Sequence, residues 1–139
     1  MTTTPDLAGL LPGVDLAQAE AEVVQHLANL IRLNTTNPPG NEMKGALFLK
    51  NILEKEGFEV QLMDSTELGA GRVNLYTRLK GNGSKKAIAL VHHIDVVPAD
   101  PSVWTQPPFS GARKGGYIWG RGALDTKCLT IGELMSMIE

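Results

Sequence analysis

The sequence predicts an α/β fold, with helices packed on a mixed β-sheet, from three patterns. Apolar residues recur at three- and four-residue steps in two early segments and one final segment, the spacing of a helix with one buried face. In two middle segments apolar and polar residues alternate, as on a strand with one buried face. Between these and the last helix lies an uncharged run, Ala87-Ile88-Ala89-Leu90-Val91, which reads as a strand buried on both faces. Elements in that order bury their apolar sides by layering helices on a sheet.

Residues 1–14 carry Asp6, two prolines and no basic start, so they read as a loose tail and neither a secretory leader nor a membrane span. Residues 15–139 are expected to form one domain, or one piece of a larger one, burying about two-thirds of the surface the unfolded chain exposes. Asp15 stands as a cap ahead of a helix whose Leu16, Ala19, Val23, Leu27, Leu30 and Ile31 share a face, with His26 on the solvated side. Asn34-Thr35-Thr36-Asn37-Pro38-Pro39-Gly40 breaks that helix, because proline lacks the N–H and its ring clashes with the preceding turn. A second helix, about Glu42 to Glu56, buries Ala46, Leu49 and Leu53 and stops at Gly57.

Phe58, Val60 and Leu62 alternate with Glu59, Gln61 and Met63 as a first strand. Val73, Leu75, Thr77 and Leu79 alternate with Asn74, Tyr76 and Arg78 as a second. Gly81-Asn82-Gly83-Ser84 is expected to turn that strand into a hairpin with the apolar run. Val96 to Gly116 is a long loop, of the length that is usually functional or disordered. Trp104 and Phe109 are expected to pin it by burial, and its prolines reduce the entropy lost on ordering it. After a short strand-like Tyr117-Ile118-Trp119, Gly120 and Gly122 permit a tight turn around Arg121, and Ile131, Leu134, Met135 and Ile138 give the last helix its core side.

With 42% hydrophobic and 20% charged residues and a formal net charge of −2, the chain is expected to be a soluble, cytoplasmic one. Lys and Arg are neither in excess nor clustered, so no nucleic-acid or membrane partner is expected. The single cysteine, Cys128, excludes an internal disulfide framework and a Cys-rich zinc module and reads as a small residue on the final helix.

Two polar clusters bracket the long loop. His93 falls at the carboxyl end of the apolar run, where open α/β sheets place their ligands. On an extended segment His93 and Asp95 point the same way, so Asp95 is placed to accept one ring N–H of His93, fix its tautomer and leave the other nitrogen for a metal. Ordinary loop hydrogen bonding is the competing account of that pair. Asp125 stands near the start of the last helix, where it serves either as a cap or as a metal ligand whose two oxygens bridge a pair of cations.

His93-Ile94-Asp95-Val96-Val97-Pro98, then Trp104 and Pro107-Pro108-Phe109, then Gly120-Arg121-Gly122-Ala123-Leu124-Asp125-Thr126-Lys127 resembles the signature of the zinc-dependent aminoacylase, acetylornithine deacetylase, succinyl-diaminopimelate desuccinylase and carboxypeptidase G family. Asn37-Pro38-Pro39-Gly40-Asn41-Glu42 resembles the same family's segment between its first two helices, on the active-site side. The resemblance runs roughly from residue 15 to 139 and implies the N-terminal part of a zinc-exopeptidase-like catalytic domain. It implies His93 as ligand to one zinc, Asp125 as the carboxylate bridging two zincs, and Asp95 as the catalytic-site acid that orients the histidine. It also implies a cis peptide at Asp125-Thr126. Two positions depart from the pattern: His92 stands where the family usually has a small residue, and Thr126 where acidic or Met side chains are frequent.

The function so implied is hydrolysis of an amide or peptide bond next to a carboxylate, by zinc-activated water, on an N-acyl amino acid or peptide. Two zinc ions are implied as cofactors, with cobalt or manganese as alternatives. The family's Glu-Glu pair, further carboxylate, late histidine and lid domain, through which a homodimer would form, fall after Glu139. The chain is therefore expected to be part of a longer enzyme and inactive by itself. The alternative is a non-catalytic scaffold or interaction domain on the same fold. A serine hydrolase is disfavoured, because no Gly-x-Ser-x-Gly elbow is present.

Overall fold

The computed structural model describes residues 11–139, so the first ten positions of the expected tail lie outside the described residues. Helix α1 spans Leu16–Arg32 and begins where expected: Asp15 is extended, and its carboxylate accepts from the backbone N–H groups of Ala17 and Gln18, both at 3.1 Å. Two donors that the first turn leaves without partners are thereby satisfied. Helix α2 spans Met43–Lys55 and buries Gly45, Ala46, Leu49 and Leu53. Helix α3 spans Cys128–Ile138 and buries Thr130, Ile131, Leu134 and Met135. Cys128 is its first residue and is half-buried.

One apolar core joins the three helices. Leu30, Leu49, Leu53, Ile131, Leu134 and Met135 form its centre, and Ala19, Val23, Leu27, Phe58, Val60 and Leu75 pack around them. Full burial of each large aliphatic side chain is worth about 1.5–3 kcal/mol, which makes this cluster the main restraint on how α1 and α3 meet. His26, expected on the solvated face of α1, is half-buried because α2 runs alongside: its ring meets that of Phe48 edge-on, centroids 6.1 Å apart.

Strands β1 (Val60–Asp64) and β2 (Val73–Thr77) pair antiparallel in the register Val60 to Thr77 and Asp64 to Val73. The expected alternation is present, with Val60, Leu62, Val73 and Leu75 inward and Gln61, Asn74 and Tyr76 outward. A second antiparallel pair, β3 (Ala112–Lys114) and β4 (Tyr117–Trp119), lies inside what reads from the sequence as irregular loop and a lone strand. Its turn is Gly115-Gly116, both at positive φ, which is the demand of a two-residue hairpin.

The expected mixed sheet is corrected, among the described residues, to two separate two-stranded antiparallel sheets. Ala87–Val91 forms no strand and no hairpin with β2, and Ile88 and Val91 are 87% and 78% exposed. An apolar run shows that a strand is fit for burial on two faces, but neighbours must supply the ladder and the cover, and the described residues supply neither. Among the described residues the single parallel pairing is a bridge between Thr36 and Val96. That bridge carries the site, because it fastens the loop after α1 to the segment following His93. No described helix is long and apolar enough to cross a membrane.

Candidate metal centre

Three hydrogen bonds fix the backbone that carries His93 and Asp95. Val96 donates to Thr35 O at 3.1 Å, Asn37 donates to Val96 O at 2.9 Å, and the Thr35 hydroxyl donates to Ile94 O at 2.5 Å. From the other side the Thr126 hydroxyl donates to His93 O at 2.7 Å. The segment 93–96 is therefore held between the α1–α2 loop and the turn that leads into α3.

That turn, Ala123–Lys127, is not a regular helical start. Asp125 (φ −123°, ψ 92°) and Thr126 (φ −133°, ψ 22°) leave the helical region, and the Asp125-Thr126 peptide is cis, as the resemblance implies. Gly122 sits at φ +81°, and a Cβ there would stand 2.5 Å from Val96 Cγ1, so only glycine lets the turn approach the His93 segment. No side chain caps α3, which sets aside the reading of Asp125 as an N-cap.

Lys127, quoted from the sequence only as the end of a motif and given no role there, is fully buried. Its ammonium donates to Leu30 O at 3.0 Å and Leu33 O at 2.9 Å, adding a second donor to the Leu30 carbonyl, which already accepts from Leu33 N, and capping the end of α1. Burial pushes its pKa down to about 8. A neutral amine would retain two N–H donors for the same two carbonyls.

These anchors bring the sequence-predicted residues together. His93 Nδ1 lies 3.0 Å from Asp95 Oδ1 and 3.1 Å from the Asp95 carbonyl, two acceptors, so the neutral ring carries its proton on Nδ1. The lone pair of Nε2 then faces Asp125 Oδ1 at 3.3 Å. That separation exceeds the roughly 2.7–2.9 Å of a charge-assisted hydrogen bond. Two ligands each about 2.0–2.1 Å from one tetrahedral cation stand about 3.3 Å apart. The pair thus fits two corners of a zinc coordination shell. Among the described residues no group of three or more His, Cys, Asp or Glu side chains converges to complete one.

His93 and Asp125 open onto a cleft of about 300 Å³ lined also by Asp95, Val97, Arg121 and Leu124. Arg121 lays its guanidinium 5.1 Å from the Trp104 ring centroid, and its backbone N–H donates to Pro108 O at 2.7 Å. Trp104 and Phe109 are half-buried, so the loop is held by these contacts together with the β3–β4 hairpin. His92 turns away from the cleft and meets Glu133 of α3, Nδ1 to Oε2 2.6 Å, which gives the unusual second histidine a structural partner.

His93 is thus steadied by one carboxylate and faces another at an open cleft. Residues 89–139 match the family model described as peptidase family M20/M25/M40, so this stretch of the chain is of that family. It is similar to the succinyl-diaminopimelate desuccinylase of Paracoccus denitrificans (strain Pd 1222), 39% identical over 104 residues, covering 74% of this chain and 25% of that protein. A probable succinyl-diaminopimelate desuccinylase of Staphylococcus aureus (strain Mu50 / ATCC 700699) is 35% identical over 122 residues, covering 87% and 29%. The N-fatty-acyl-amino acid synthase/hydrolase PM20D1 of Xenopus tropicalis is 58% identical over 48 residues, covering 34% and 9%. The chain spans about a quarter of the length of the desuccinylases it matches.

Proposed function

We propose that this chain contributes one wall of a metal-dependent hydrolase site that cleaves an amide or peptide bond next to a carboxylate, on an N-acyl amino acid or peptide substrate. The observation that carries the reading is the 3.3 Å approach of His93 Nε2 to Asp125 Oδ1, with Nδ1 already committed to Asp95. His93 and Asp125 would hold zinc, with cobalt or manganese as alternatives, and in a two-metal site Asp125 would be the carboxylate shared by both ions. Bound zinc supplies Lewis acidity that makes water nucleophilic at neutral pH and polarises the scissile carbonyl.

The chain's own residues do the rest of what is assigned here. Asp95 keeps the ring proton on Nδ1, so the nitrogen facing the cleft is a lone-pair donor. Asp125, its side chain 85% exposed, offers two oxygens to the same space. The Gly122 turn and the Thr126 hydroxyl hold the two groups in register. Two converging donors support a partial centre, so the isolated chain should show no turnover, and hydrolysis by the purified chain would contradict that.

Zinc titration against a competing chromophoric chelator tests the reading. The chain should bind zinc, and His93→Ala and Asp125→Ala should each remove that binding. Equal affinity in all three would leave the alternative, a non-catalytic scaffold of the same fold.

A further inference from the structure

His93 lies between two carboxylates, and a neutral imidazole has one proton to share. If Asp125 wins it, Nε2 becomes a donor and its lone pair is lost to a metal; if Asp95 wins it, the lone pair remains. The outcome depends on which carboxylate is better held. Asp125 is largely in water, whereas Asp95 has a built support.

Asn37, in the loop after α1, donates from Nδ2 to Asp95 Oδ2 at 2.9 Å. Its own Oδ1 accepts from Arg72 Nη2 at 2.6 Å, which decides the amide's orientation. Flipped, the amide would turn its oxygen toward the Asp95 carboxylate and its N–H toward a guanidinium, two like-against-like contacts. Arg72 is fixed in turn. Glu42 is buried with Oε1 3.8 Å from Arg72 Nη1, and a Cβ on Gly40 would stand 3.0 Å from both Cγ and Nε of Arg72. The Gly71 carbonyl accepts from Met43 N at 3.0 Å, tying the Arg72 loop to the start of α2.

We infer that Asn37 and Arg72 are positioning residues: Arg72 orients the Asn37 amide, Asn37 locks the Asp95 carboxylate, and Asp95 thereby holds the His93 tautomer that can bind a metal. This rests on the proposed role of His93, and the test separates the two. The readout is the tautomer of the neutral His93 ring, from ring-nitrogen NMR of the full chain without metal, followed by zinc affinity.

Asn37→Asp is nearly isosteric and can still accept from Arg72 but cannot donate to Asp95. It should move His93 toward the Nε2–H tautomer and weaken zinc binding about 10- to 100-fold, the usual loss when a partner behind a ligand is removed. Arg72→Ala should do the same and Arg72→Lys less. Asn34→Ala, which removes only the loop's own bonds to Thr36 N and Oγ1, should leave the tautomer unchanged. An unmoved tautomer in folded Asn37→Asp, or an equal shift in Asn34→Ala, overturns the inference. A tautomer shift in a chain whose zinc affinity ignores His93→Ala would uphold the positioning network and sink the metal role instead.

Discussion

In the proposed site a single ring, His93, would carry the chemistry, and its two nitrogens differ because their neighbours differ. Asp95→Ala removes the carboxylate behind Nδ1, leaving only the backbone carbonyl as acceptor, and should weaken zinc binding about 10- to 100-fold, read by chelator competition, while His93→Ala should cost more than that. His93, Asp95 and Asp125 were legible in the sequence because each sits in a short ordered motif. Asn37 was legible only as part of a loop on the active-site side, and Arg72 was not: Asn37 reaches Asp95 across 58 residues and Arg72 reaches Asn37 across 35, and no local pattern encodes such partners. Lys127 was hidden for the same reason, since its carbonyl partner in α1 is 97 residues away. Lys127→Met should destabilise the fold by about 1–3 kcal/mol in urea unfolding, because Leu30 O and Leu33 O would lose a donor without gaining water.

Among the elements, the helices were readable because each carries its own signals. Asp15 caps α1, and Asp15→Ala should lower stability by about 1 kcal/mol in urea unfolding. The turn Ala123–Lys127 is different, since its shape depends on what it packs against. Gly122→Ala asks for positive φ in a residue that disfavours it and drives a methyl into Val96, so both stability and zinc affinity should fall. A thermal melt and a zinc titration on one variant would show whether the two losses travel together. The β3–β4 hairpin was missed because its strands are three residues each, although Gly115-Gly116 between them was a usable sign.

At the scale of the described molecule, the core is the helical cluster and the β1–β2 pair only packs against it. Leu30→Ala, at its centre, should cost about 2–5 kcal/mol, whereas Ile88→Ala, in the run expected to be a buried strand, should change stability by less than about 0.5 kcal/mol. The strand reading of Ala87–Val91 failed because burial is a property of a strand with its neighbours, not of the run itself. The same packing brings the end of that run against the turn before α3, where His93 and Asp125 converge on the proposed metal site. Anomalous diffraction at the zinc edge, from crystals of the chain grown with zinc, examines it directly. A peak about 2.0–2.1 Å from both His93 Nε2 and an Asp125 oxygen is the predicted result. Zinc seated only on other side chains, with His93 and Asp125 hydrogen-bonded to each other, would contradict the account.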